Sequence, residues 1–525
     1  MKLYENARIL TLNKVQPEAR AMLCHRGVVI QLFNEPNPII TGLGALRRVN
    51  CGNRVMLPAF TDAHLHLMDT GINLGTVDVS SARNESQAVR MLKEARSNAP
   101  AGEWIQGSRW GHNLWDPPAL PTKKSLDELF PENPVFLFSK CEHLLWANSL
   151  ALKMAGIAAQ TPDPKAGEIE RDPKTGEPTG ILKEDAADLI CAVIPEIPAY
   201  RKKELLKKTG AHLNRFGIVN VHAADNADVF GLLQEIKNDP DFHLNVLFYF
   251  PVAKLDDLIK AKMHSGLGDA RLRFGGVKLF VDGSLGGRTA WMDEPYDDEP
   301  NNFGIMMRDK PELFDLVDRS NKAGIATMTH AIGDRAVRTI LEVYAEASDP
   351  PPGTWNRVEH FQLLSEKILP LLKKSKTVSS VQPVHIFSDW SAANRFWGGR
   401  ARWAYAFRTM KEAGMPIIFG SDSPVEPVNP FWGIYAAMER KDGAGNPADG
   451  WFTQERLSLH EALEAFISEP PVIAGEGYIK GTLSPGARVD FVLVEENPFA
   501  VSPEALRDMK ISATVAGGKT VFGEI

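Results

Sequence analysis

Cysteine is scarce in this chain: four among 525 residues, at Cys24, Cys51, Cys141 and Cys191. They are too scattered for a zinc knuckle and too few for a disulfide scaffold, so they read as buried thiols. An excess of one charge is also missing. With 59 Lys+Arg against 66 Asp+Glu the net charge is -7, which excludes a nucleic-acid footprint and a polybasic membrane anchor. No uncharged apolar run approaches the roughly 18 residues of a membrane span. Met1 to Asn6 contains no apolar signal core, so a cytoplasmic location and no membrane partner are expected. What is present is ordinary: 44% hydrophobic and 24% charged residues suit a packed protein and give disorder no support. The length allows a large domain plus at least one accessory domain.

One stretch organises the rest, Val55-Met56-Leu57-Pro58-Ala59-Phe60-Thr61-Asp62-Ala63-His64-Leu65-His66. Its first part is apolar, bounded by Pro58, and short enough to be a buried strand; the imidazoles come where such a strand would end. Side chains two apart on extended backbone share a side, so His64 and His66 can reach one ion while Leu65 faces away. Imidazole suits zinc and its neighbours. Alone, His-x-His is better read as two surface or capping histidines.

The two ends of the chain resemble each other. From Lys2 to Leu57 short apolar stretches alternate with Asn, Pro and Gly, and Arg488–Val494 and Ala513–Val521 do the same. Neither end can bury a sheet face alone, so residues 1–57 and 475–525 are expected to pair into one small β-domain, a β-sandwich. Residues 79–200 break the rhythm and read as an inserted α+β subdomain, with a helix near 86–97, a strand at 134–138, a helix at 148–155 and a Gly/Pro/Asp-rich hairpin around 171–178. Residues 58–78 plus 201–474 carry the regular part. Strands are expected before His64 and at 217–222, 244–249, 276–280, 325–330, 357–360, 377–382 and 415–420, with helical spacers between them. Eight such units predict an α/β fold, a (β/α)8 TIM-like barrel with its chemistry where the strands end.

Five of those strands end near a residue able to meet a metal: His64 and His66, Lys278, His330, His360 and Asp422. Singly each has a plain structural explanation. Together, in barrel order, they point to a metal site.

This pattern resembles the metal-dependent amidohydrolase superfamily, which has His-x-His after strand one, Lys after strand four, His after strands five and six, and Asp after strand eight. The segment 481–490 in the split β-domain is similar too. The stretches Val277-Lys278-Leu279-Phe280-Val281-Asp282-Gly283-Ser284-Leu285-Gly286-Gly287-Arg288-Thr289-Ala290, His330-Ala331-Ile332-Gly333-Asp334-Arg335-Ala336 and 143–152 resemble the branch containing N-substituted formamide deformylases and YtcJ-like proteins. The resemblance implies two divalent ions, most plausibly Zn2+. One would be held by His64, His66 and Asp422 and the other by His330 and His360, with Lys278 bridging them as a carbon dioxide-derived carbamate. It also implies hydrolysis of a non-peptide C–N bond in an amide, N-substituted formamide or cyclic amide by metal-activated hydroxide, with Asp422 as the catalytic proton carrier.

The expected partner is a small-molecule substrate; the sequence leaves self-association open. His143, His222, Arg288, Trp110 and Trp291 are candidates to contact substrate, each with packing or salt-bridging as the plainer alternative. For Lys278 the alternative is a buried pair with Asp282. Two other functions compete. A mononuclear deaminase would use His64, His66, His330 and Asp422 with His360 as catalytic group, and Lys278 argues against it. A non-catalytic binding protein on a retained barrel is opposed by the intact ligand set.

Overall fold

The computed structural model describes residues 1–41, 45–112, 115–140, 144–164 and 167–525. The chain forms two compact units, one of residues 1–70 and 202–525, the other of residues 71–201.

The first unit contains an eight-stranded parallel sheet in strictly sequential order: Phe60–Leu65, Ile218–Ala224, Asn245–Pro251, Leu272–Phe280, Ala326–Ala331, Arg357–His360, Val378–Val381 and Ile417–Phe419. Parallel strands with helical crossovers are covered on both faces, which is why they read as continuous apolar runs; Ile218–Ala224 is buried at every position. The ring comes back on itself where Leu65 bridges Ser423. Here the Asp422 N–H donates to the His64 carbonyl at 2.7 Å and the His66 N–H to the Ser423 carbonyl at 2.9 Å. Gly420 makes this approach possible, because a Cβ there would stand 2.5 Å from the His64 backbone nitrogen. Crossover helices such as Lys310–Lys322 and Asp334–Glu346 follow the βα rhythm of a TIM-like barrel.

Two smaller sheets complete this unit. One joins Val28–Phe33, Ala21–His25, Lys2–Glu5 and Arg47–Asn50. The other interleaves the chain ends: Phe491–Val494 pairs antiparallel with Val55–Pro58, flanked by Ile511–Ala516 on one side and Arg8–Leu10 on the other. Tyr4, Ile9, Met22, Met56, Phe491, Leu493 and Val515 share one core, with the Tyr4 and Phe491 rings edge-to-face at 4.9 Å.

The run from Val55 to His66 differs from the single strand its sequence suggests. It is two strands, Val55–Pro58 in the terminal sheet and Phe60–Leu65 in the barrel, separated by Ala59. Pro58 and the sheet change explain the break: a proline cannot donate to a ladder, so it falls at a strand boundary.

The second unit has a mixed six-stranded sheet in the order Gly167–Arg171, Pro178–Glu184, Leu144–Ala147, Val135–Ser139, Ile105–Trp110, Val77–Asp78. Its first two strands form the expected hairpin. Trp110, Trp115 and Trp146 cluster in its core. Cys24 and Cys51 are buried, Cys191 is exposed against expectation, and Cys141 lies outside the described residues. Among the described residues no helix is long and apolar enough to cross a membrane.

Candidate metal centre

The C-terminal ends of the barrel strands bring the sequence-predicted ligands together. His64, His66 and Asp422 offer ligand atoms all within 4.8 Å of one another. The Nε2 atoms of His64 and His66 stand 3.2 and 3.4 Å from Asp422 Oδ1, and His360 Nδ1 stands 3.8 Å from Oδ2. His360 stacks against His330 with ring centroids 4.4 Å apart and against His64 at 5.0 Å. Asp422 (φ 60°) and His360 (φ 68°) both occupy the left-handed backbone region. Such strain, of order 1–3 kcal/mol each, persists where surrounding structure imposes it, commonly at functional sites.

The ring nitrogens away from the cluster are already committed. His66 Nδ1 lies 2.7 Å from the Ala224 carbonyl, which can only accept, so Nδ1 carries the proton and Nε2 the lone pair in the neutral ring. His64 Nδ1 is bonded to the Glu359 carboxylate. His64 Nε2 is buried with no hydrogen-bond partner among the described residues. An orphaned, lone-pair-bearing nitrogen beside a carboxylate is a poor packing element and a good metal ligand, so these residues fit a divalent ion. His66 and Asp422 carry the same signature in their protonation. Burial works against charge on His66, but the neighbouring Asp422 outweighs it and pushes the imidazole up to about 9. Burial likewise opposes the Asp422 anion, yet His64, His360 and His66 hold it well below the usual carboxylate range.

Lys278 is 5% exposed. Among the described residues its amine makes no ion pair or hydrogen bond, and its nitrogen lies 5.1 Å from the Phe280 ring centroid. Burial pulls it down to about 8, against the attraction of Glu359 and Asp422, so that roughly a tenth of the amine is neutral at pH 7, far more than for a free lysine. The alternative pair with Asp282 is not formed. Asp282 instead accepts the backbone N–H groups of Trp291, Ile332 and Gly333 at 2.8–3.0 Å, and desolvation raises it to about 7. His330 Nε2 donates to the Gly283 carbonyl at 2.9 Å; burial, then Lys278, lowers it to about 3, so it is a neutral imidazole with its proton on Nε2.

The candidate substrate residues are placed less favourably. His222 is buried inside the barrel with its Nδ1 accepting from Arg357 at 2.8 Å. Arg288 is engaged by Asp298 at 2.7 Å and Glu299 at 3.2 Å and stacks over Phe396, the salt-bridged alternative. Trp110 is fully buried with its indole N–H on the Leu137 carbonyl. Trp291 is half-buried under the Arg335 guanidinium. His143 lies outside the described residues.

Several site residues escape the sequence reading. Glu359 and Arg357 are both fully buried on the sixth strand, with Arg357 Nε 2.6 Å from Glu359 Oε1; a charged pair inside a short buried strand was their available signal. Asp225 accepts the Leu67 and Met68 N–H groups at 2.9 and 3.0 Å, capping the helix that follows His66. Gln382 Oε1 lies 2.9 Å from His360 Nδ1. Phe280 is 38% exposed, and His385 is buried with its Nε2 3.8 Å from Asp422 Oδ2.

A parallel barrel that gathers imidazoles and a carboxylate at its strand exits defines the class of metal-dependent hydrolase barrels. Residues 47–522 match the family described as "Amidohydrolase family", and the chain belongs to that family. It is 31% identical over 490 residues, 90% of each chain, to the putative amidohydrolase YtcJ of Bacillus subtilis. It is 26% identical over 533 residues, 98% of this chain and 96% of the relative, to an N-substituted formamide deformylase of Arthrobacter pascens. An uncharacterized metal-dependent hydrolase from Pyrococcus horikoshii superposes with a TM-score of 0.80 at 28% identity, over 96% of this chain and 99% of that one.

Proposed function

We propose that this protein hydrolyses a non-peptide C–N bond, that of an amide, N-substituted formamide or cyclic amide carrying an apolar substituent. In this reading His64, His66 and Asp422 would hold one divalent ion and His330 and His360 a second, with Lys278, as a carbamate, supplying an anionic ligand to both. The observation that carries it is His64 Nε2, buried without a partner and 3.2 Å from Asp422 Oδ1. Two zinc ions bound there would supply Lewis acidity toward the scissile carbonyl and lower the pKa of water into the neutral range.

The chain's own residues do the rest. Water adds its oxygen to the carbonyl carbon, Asp422 accepts its proton, and the same carboxylate delivers that proton to the leaving nitrogen as the C–N bond breaks, giving acid and amine. Glu359 and the Ala224 carbonyl fix the orientation of His64 and His66. A neutral amine at Lys278 can add carbon dioxide, a step the protonated lysine cannot make. Phe280 supports the apolar substituent: its ring lies 5.2 Å from the His330 ring and 5.1 Å from the Lys278 amine, and is part-exposed. Met307, also exposed, is tied to the same strand end through its N–H on the Val281 carbonyl at 2.8 Å. The likeness to the N-substituted formamide deformylase of Arthrobacter pascens supports the bond type.

The test is a panel of N-substituted formamides, linear amides and cyclic amides, each with small and large apolar groups, offered to zinc- and bicarbonate-loaded protein. Release of amine from one of these classes is expected. Turnover confined to aminoheterocycles with ammonia release would favour the mononuclear deaminase, a reading favoured by the tight His64, His66, Asp422 trio.

A further inference from the structure

We infer that His385 is a catalytic residue of this site, donating a hydrogen bond from Nε2 to the substrate oxygen as negative charge develops on it. This rests on the hydrolase reading above. His385 sits in the 3-10 turn Pro383–His385 that follows the seventh barrel strand, a strand that supplies none of the six expected ligands. Its side chain is 8% exposed, and Nε2 is buried with no hydrogen-bond partner among the described residues. That nitrogen stands 3.8 Å from Asp422 Oδ2, short of bonding to it. The ring lies 6.3 Å from that of His360. A buried imidazole nitrogen without a partner keeps its full desolvation cost; its retention needs a partner supplied from elsewhere.

The turn holds the ring in place. The His385 N–H donates to the Gln382 carbonyl at 3.1 Å, and the Gln382 side chain is bonded to His360, so His385 is built on the same support as a proposed ligand. The two oxygens of Asp422 divide the cluster: Oδ1 faces His64 and His66, and Oδ2 faces His360 and His385. A third-party oxygen entering beside Asp422 therefore meets His385 from the side opposite His64 and His66. As a further metal ligand His385 would fill a coordination position that a catalytic ion keeps open. As a donor it does what preorganised donors do in acyl transfer, favouring the charged transition state over the neutral ground state.

The experiment compares wild type with His385→Ala, His385→Gln and His385→Asn, each zinc-loaded. It measures zinc content, kcat and KM on the best amide of the panel, and calorimetric affinity for an N-alkyl phosphonamidate, a tetrahedral anionic mimic. The expected result is unchanged zinc content, a kcat for His385→Ala lower by about 100-fold with KM within about threefold, and a phosphonamidate Kd raised by a similar factor. The amide N–H of Gln or Asn should recover part of both. Loss of zinc in proportion to activity would make His385 a ligand and overturn the inference, as would unchanged kcat and phosphonamidate binding. Should His385→Ala fail to fold, the Gln and Asn variants decide by the same criteria. The phosphonamidate arm reads His385 even if no amide of the panel is hydrolysed, so failure of the hydrolase reading and failure of this inference are distinguishable.

Discussion

Arg357 and Glu359, two residues apart on the sixth barrel strand, form an ion pair with no solvent exposure on either side chain, Nε to Oε1 at 2.6 Å. Glu359 passes its other oxygen to His64, and Arg357 also reaches the Ala63 carbonyl, Ser380 and His222. Burial alone would neutralise Glu359, but Arg357 and His64 hold it well below the usual carboxylate range. The barrel interior is thus braced by charge, and the brace ends on a proposed metal ligand.

Glu359→Gln should therefore do two things. It leaves the Arg357 guanidinium buried without its anion, which costs about 3–5 kcal/mol for such pairs. It also removes the carboxylate that orients His64, lowering zinc affinity by about 10–100-fold. Thermal unfolding and competitive zinc titration read the two effects separately.

Phe280→Ala should change selectivity rather than chemistry. Because the ring covers apolar surface beside Lys278 and His330, its loss is expected to lower kcat/KM for a large apolar substituent by about tenfold, worth ~1–2 kcal/mol of contact. Turnover of the smallest substrate should change little. The ratio of the two rates is the measurement; an unmoved ratio places the substituent elsewhere.

Lys278→Ala tests the bridge. Without the two carbamate oxygens, hydrolysis is expected to slow by orders of magnitude and the second ion to bind more weakly. Added formate or acetate should restore part of the activity by supplying two oxygens. A purely structural lysine predicts lost stability and no rescue.

Away from the site, Glu461 offers a pH prediction. It completes a capping box with Ser458 and pairs with Arg408 through two bonds at 2.7 and 3.0 Å. Burial opposes its charge, but Arg408 and Ser458 pull it from 4.5 down to about 2. A depressed carboxylate contributes stability that is present above its unfolded value and lost as pH falls through the folded one. Glu461→Ala should thus lower the thermal midpoint at pH 7, and the gap to wild type should narrow between about pH 4.5 and 2.

The barrel was readable because parallel strands buried on both faces appear as apolar runs that end in a polar residue. The expected strand 325–330 and the observed Ala326–Ala331 differ by one residue at each end. The sheet change at Ala59 is marked in the sequence by Pro58 alone, since the two strands that abut there are both fully buried. Trp110, a candidate substrate contact in the sequence, instead ends the strand Ile105–Trp110 and packs inward. The proposed ligand set was picked out from residue type and strand position, and of it the structure brings His64, His66 and Asp422 within 4.8 Å of one another. Its supports were not picked out: Glu359 meets His64 across 295 residues, and Asp225 reaches the Leu67 N–H across 158. Such pairings follow from barrel closure, which no local window contains.

The central claim is a two-ion site bridged by Lys278, and metal stoichiometry tests it most directly. Protein loaded with zinc in bicarbonate, freed of excess metal and assayed for full activity, should hold close to two zinc ions per chain by elemental analysis. A fully active preparation holding one ion per chain would contradict the account and leave His64, His66 and Asp422 as the core of a mononuclear site.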